Sequence, residues 1–190
     1  MKALFKVTAV AALMAGAVSM AHAASAQRDA QVEITGNIVD HTCDLSIPQS
    51  TYDLGNHTPL EFGAGGTANE VGAKQFLLKV QNCTGTLAAV GDLLNVRVNQ
   101  TGADNGVDSA NFWGDDGGTN AGIILKMSGG VNSGTAAITP LSPLYPIHKA
   151  AAVNDPISGR VFPITVTAAM KGAAVPLPGA LKANLQFTME

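Results

Sequence analysis

The sequence predicts an all-β sandwich. Three observations carry that prediction. Apolar residues recur at every second position in one run after another. Glycine-rich stretches separate the runs. Past the apolar N-terminal stretch, no long amphipathic helix is evident.

Along the chain, the first run is Val32, Ile34, Gly36 and Ile38, which share one face of a strand. Phe76, Leu78 and Val80 alternate just before Cys83, and Leu94, Val96 and Val98 alternate next. Gly122-Ile123-Ile124-Leu125-Lys126-Met127 is a compact apolar strand. Phe162, Ile164, Val166, Ala168 and Met170 form a long alternating set, and Leu181, Ala183, Leu185, Phe187 and Met189 form the last. Pro163 has no ladder donor, so it belongs at a sheet edge or where a strand begins. Turns are expected in residues 63–66, 102–118, 128–134 and 172–179. Residues 68–73 offer material for one helical turn. The stretch 102–118 carries Phe112 and Trp113 and reads equally as a surface excursion or an interaction loop.

The N-terminus has a different character. Lys2 and Lys6 precede an apolar run from Val7 to Met20, and Ala21-His22-Ala23 follows. This is the three-part layout of a secretory signal peptide. The run is shorter than the roughly 20 residues a spanning helix needs. Cleavage is expected after Ala23, with Ala24-Ser25-Ala26 as a second small-residue site. The expected division is a leader at 1–23, an extension at 24–38 and a domain at 39–190. Losing Lys2 and Lys6 makes the formal charge more negative than the −3 of the whole chain. A mildly acidic chain without a basic cluster excludes nucleic acid as the expected partner. Two cysteines, Cys43 and Cys83, enter an oxidising compartment on export and are expected to pair.

Catalytic chemistry is hard to assemble from the rest. An enzyme needs a nucleophile with a base, a tuned carboxylate pair or a metal cluster. His41, His57 and His148 are far apart in sequence and read as surface or loop residues. Asp104-Asn105-Gly106-Val107-Asp108 and Asp115-Asp116-Gly117-Gly118 lack the spacing of a calcium loop. No cofactor, metal or catalytic residue is therefore expected.

The stretch Val32-Glu33-Ile34-Thr35-Gly36-Asn37-Ile38-Val39-Asp40-His41-Thr42-Cys43 resembles the start of a type 1-family pilin of the chaperone–usher pathway. Those subunits place the first cysteine seven positions after a glycine within an alternating strand, as Gly36 and Cys43 do here. The second cysteine closes an alternating strand, as Cys83 does, and Tyr52-Asp53-Leu54-Gly55 resembles a short segment that follows the first cysteine. Two positions depart from the family pattern. Met189 stands where a penultimate tyrosine is usual, and Gly179 is displaced by two from the usual C-terminal glycine, where Leu177 stands.

The resemblance implies an incomplete immunoglobulin-like β-sandwich, completed by donor-strand complementation. Ala30, Val32, Ile34, Gly36 and Ile38 would then enter a neighbour's groove. Leu181, Ala183, Leu185, Phe187 and Met189 would border the acceptor groove, with the carboxylate of Glu190 gripped by a chaperone. The implied partners are copies of this chain or other pilins of the fibre, a periplasmic chaperone and an outer-membrane usher. The implied destination is a surface fimbrium reached through the periplasm, with a major rod subunit favoured over a minor adaptor. The competing expectation is a secreted monomeric carbohydrate-binding module, with Phe112 and Trp113 as its sugar platform.

Overall fold

An alternating run becomes a strand when one face is buried and the other meets water. The computed structural model describes residues 41–102, 108–114, 117–131 and 134–190. Nine strands occur among them: β1 (His41–Ser46), β2 (Glu70–Leu87), β3 (Leu93–Gln100), β4 (Ala121–Ser128), β5 (Ala136–Ile138), β6 (Leu144–Lys149), β7 (Asp155–Pro156), β8 (Phe162–Gly172) and β9 (Leu185–Met189). Two short 3-10 turns, Pro59–Phe62 and Ala64–Gly66, lie between β1 and β2. The first alternating run, with Ala30, Val32, Ile34, Gly36 and Ile38, lies outside the described residues.

The strands form two antiparallel sheets. The larger has the order β1-β2-β8-β4-β5, with β7 paired to the far end of β2, and the smaller has the order β6-β3-β9. Their inner faces meet in one core. Leu78 and Val80 of β2, Leu94, Val96 and Val98 of β3, Leu125 and Met127 of β4, and Ile164 and Val166 of β8 are all buried in it. This is an all-β, immunoglobulin-like sandwich whose sheets do not close.

The disulfide between Cys43 and Cys83 is present and ties β1 to β2. It sits at an irregularity in the ladder. Thr42 faces Thr84 and Asp44 faces Gln81, so β2 carries one extra residue beside the bridge. Asn82 takes up the distortion with φ +52°, and its amide donates to Asp44 Oδ2 at 2.9 Å.

Pro163 lies near the start of β8, opposite Lys79, before β4 joins the ladder at Thr165. The missing donor is tolerated there. The helical turn expected at residues 68–73 is not formed. From Glu70 the chain is strand, paired to β8, and Gly72 (φ +68°) lies in a bulge of that ladder. Helical geometry appears earlier instead, where Thr58 and Glu61 make a capping box ahead of the Pro59–Phe62 turn. Strand β6 was hidden in the sequence by Pro146. It is an edge strand, and Pro146 falls where the β3–β6 register shifts.

Trp113 is buried, not displayed. Its indole Nε1 donates to the carbonyl of Ile138 at 2.8 Å, and its backbone bridges to Ile123. Phe112 is half-buried over Gly122, where even a Cβ would come within 2.3 Å of the Phe112 Cβ. Trp113 is therefore core material and Phe112 packs on Gly122, so the two do not form the exposed sugar platform expected of a binding module. Trp113→Phe should cost about 2 kcal/mol, from lost volume and an orphaned Ile138 carbonyl. Thermal unfolding checks this, and an unchanged midpoint would refute it.

His148 is likewise not a free loop histidine. It belongs to β6, and its Nε2 lies 3.2 Å from Asp155 Oδ2 and 2.9 Å from an Arg160 guanidinium nitrogen. Arg160 also donates to Asp155 Oδ1 at 3.0 Å. The backbone N–H of Ala151 and then His148 hold the Asp155 carboxyl below its usual range. The cluster pins the β6–β7 corner to the start of β8.

Candidate functional site

The two sheets are unequal, and the difference opens a groove. The smaller sheet ends at β9, and among the described residues no strand pairs with the outer edge of Leu185–Met189. Beyond that edge, among the described residues, no opposing strand covers the inner face of the larger sheet. The result is a groove of about 960 Å³.

Its floor is apolar and comes from three strands of the larger sheet: Phe76 of β2, Ile123 and Leu125 of β4, and Ala168 and Met170 of β8. One side is the chain of residues 176–187, leading into β9. The other is the irregular chain of residues 50–59, which follows β1. Aromatic contacts run across it. Tyr52 stacks on Phe76 with ring centres 4.4 Å apart, and Phe76 meets Phe187 edge-on at 6.2 Å.

Burial marks the open side. On β3 the inward residues Leu94, Val96 and Val98 are sealed. On the last segment Leu181, Ala183, Leu185, Phe187 and Met189 share one inward parity, yet all stay half-buried. Regular pairing covers only Leu185 to Met189, so Leu181 and Ala183 line the groove from an irregular lead-in. Tyr52 also presents a buried hydroxyl with no hydrogen-bond partner.

Glu190 ends the strand. Its backbone N–H donates to Asn95 O at 2.9 Å, and its carbonyl oxygen accepts from Asn95 N at 2.7 Å. Its side chain forms a two-pronged ion pair with Arg97, which lowers the Glu190 carboxyl and raises the guanidinium.

Such a site suits an extended peptide. The free edge of β9 offers backbone donors and acceptors, and the apolar floor receives every second side chain. An open groove of this kind, left bare, would promote aggregation. Of the residues singled out in the sequence, the structure brings together Cys43 with Cys83 and sets Leu181, Ala183, Leu185 and Phe187 along the groove, while Met189 and Glu190 lie beyond its lining. Sequence reasoning missed the floor residues Ile123 and Met170 and the role of residues 50–59. The one trace of that second wall was Tyr52-Asp53-Leu54-Gly55, met as a family likeness and not as a groove wall.

A family model described as fimbrial protein matches residues 32–190. The sequence matches no curated protein. Among solved structures, that of the P pilus rod subunit PapA is similar, with 18% identity and a TM-score of 0.48 over 84% of this chain and 97% of that one.

Proposed function

Because the chain belongs to the fimbrial protein family, we propose that it is a structural subunit of an adhesive surface fimbria, built in by donor-strand exchange. It is a fibre protein and not an enzyme. The observation that carries the reading is that among the described residues no strand pairs with the outer edge of β9, which borders an apolar groove. The donor is the extension at residues 24–38 of a neighbouring subunit, with Ala30, Val32, Ile34, Gly36 and Ile38 turned into the groove. Each large apolar residue buried there adds about 1.5–3 kcal/mol, and the ladder along β9 adds register.

Before assembly the same groove needs a temporary occupant, which is a periplasmic chaperone, and an outer-membrane usher then passes the subunit into the fibre. An extension at one end and a groove in the domain let one chain both give and receive a strand. That suits a major rod subunit, which must do both at every repeat of the fibre, and the rod role is the one we favour over a minor adaptor.

The test is a melting experiment. The mature chain, purified as a monomer, is heated with and without a synthetic peptide covering residues 24–39. The expected result is a rise of several degrees and a complex that survives gel filtration. An unchanged midpoint, in a chain that unfolds cooperatively as a monomer, would overturn the reading.

A further inference from the structure

The groove wall opposite β9 is not a strand. Residues 51–58 are irregular, so side chains must help to hold them against the larger sheet. The imidazole of His57 is placed to do so. Its Nδ1 lies 2.7 Å from Glu61 Oε2, and its Nε2 lies 2.9 Å from the carbonyl oxygen of Leu54. Both partners are acceptors. A neutral imidazole has one N–H, so only the doubly protonated ring satisfies both contacts.

The surroundings are built for that cation. Glu61 accepts from Thr58 N at 2.8 Å and Thr58 Oγ1 at 2.9 Å, and Asn69 Nδ2 donates to its backbone carbonyl at 2.9 Å. With the Thr58 backbone first and His57 second, its carboxyl is lowered to about 2. Beneath the ring runs Gly72 of β2. A Cβ there would lie 2.3 Å from Leu54 O and 2.9 Å from His57 Nε2, so wall and strand touch at that point. Other charged groups lie on the neighbouring elements. Lys74 of β2 opposes the imidazolium. Glu70 of β2 is neutralised by Lys126 of β4 at 2.6 Å. On the wall itself, Asp53 is turned to the Gly55 N–H at 2.9 Å.

We propose that His57, held as an imidazolium between Glu61 and Leu54, is a positioning residue that fixes the 52–58 wall of the groove. Its deprotonation loosens that wall and slows capture of an incoming strand. The proposal rests on the strand-accepting reading above. The sign follows from the partners. The hydrogen bond to Glu61, and then that to Leu54, raises the ring above its ordinary value of 6.5. The clasp is complete below that value and is lost as pH rises through the raised one. At the acid end it fails only as pH falls toward the Glu61 value of about 2.

The experiment follows the mature chain from acid to mildly alkaline pH with three readouts: imidazole nitrogen shifts of His57, amide exchange of residues 51–58, and capture of a labelled peptide covering residues 24–39. At acid pH both ring nitrogens should carry protons. Through the His57 midpoint, protection of the wall and the capture rate should fall together, by about fivefold, the worth of one hydrogen bond. Glu61→Gln should move the His57 midpoint and the capture profile to lower pH by the same interval, a shift that a merely structural contact would not produce. His57→Gln should leave slow capture at every pH.

A singly protonated ring at acid pH would overturn the clasp. A capture rate flat across the His57 titration would overturn the positioning role and leave strand acceptance intact. Capture absent at every pH would overturn the strand-accepting reading and the positioning role with it.

Discussion

A mature chain carrying Ile34→Asp should fold, form its disulfide and stay monomeric, with polymerisation suppressed by about a thousandfold or more. Two effects add. The isoleucine forfeits about 1.5–3 kcal/mol of apolar burial. The carboxylate must then enter a groove whose floor is Phe76, Ile123, Leu125, Ala168 and Met170, with no cation among them. Together they amount to about 4 kcal/mol or more, a factor of about a thousand in binding. On the proposed donor role position 34 lies in the extension, and a domain whose core is formed by β2, β3, β4 and β8 should then melt as before. Glu33→Gln is the internal control. Glu33 has the opposite parity in the sequence, so on the proposed donor role it would turn away from the groove and that variant should polymerise normally. Electron microscopy and gel filtration read both outcomes. Normal fibres from Ile34→Asp would remove Ile34 from the donor set.

Removing the bridge should have the second largest effect. The double variant Cys43→Ala, Cys83→Ala should lose about 4 kcal/mol, since the bond closes a loop spanning a sequence separation of 40. That is a large part of the 5–15 kcal/mol typical of a domain. The damage should also spread to function. Strand β1 lies at the edge of the larger sheet, and the chain leaving it is the irregular wall of the groove. Freed from Cys83, β1 keeps its β2 ladder and the packing of Leu45 on the core but loses its covalent tie. Urea denaturation of the oxidised wild type and the double variant measures the loss. A difference below about 1 kcal/mol would show that the cross-link constrains the unfolded chain little.

These effects depend on features of unequal legibility. The strands with long alternating sets were plain in the sequence, because half-burial imposes a period of two that other forces rarely imitate. Leu94, Val96 and Val98 are an example, and each is buried as its parity requires. The strand across residues 70–73 was not plain. Its local composition suits a turn, and the decision came from β8, which lies far along the chain and supplies the ladder. Pro146 concealed β6 in the same way, since only its edge position makes a proline acceptable. Trp113 stood in a polar, glycine-rich stretch and looked exposed. The space that receives it is made by β4 and the residues around Ile138.

The candidate site divides along the same line. The sequence alone determined the all-β class, the presence of two cysteines fit to pair and the apolar parity of Leu181, Ala183, Leu185, Phe187 and Met189, and it set the expectation of a leader and an alternating extension. Apart from the cysteine pair, each is local, written in side-chain type and spacing within a few residues of chain. The tertiary structure alone decided that among the described residues the smaller sheet stops at β9, that Ile123 and Met170 lie on the groove floor, and that His57 sits between two acceptors. These depend on which distant segments pair and where pairing ends. Backbone hydrogen bonds and packing between residues far apart in sequence settle that, and a reading of local period does not contain it.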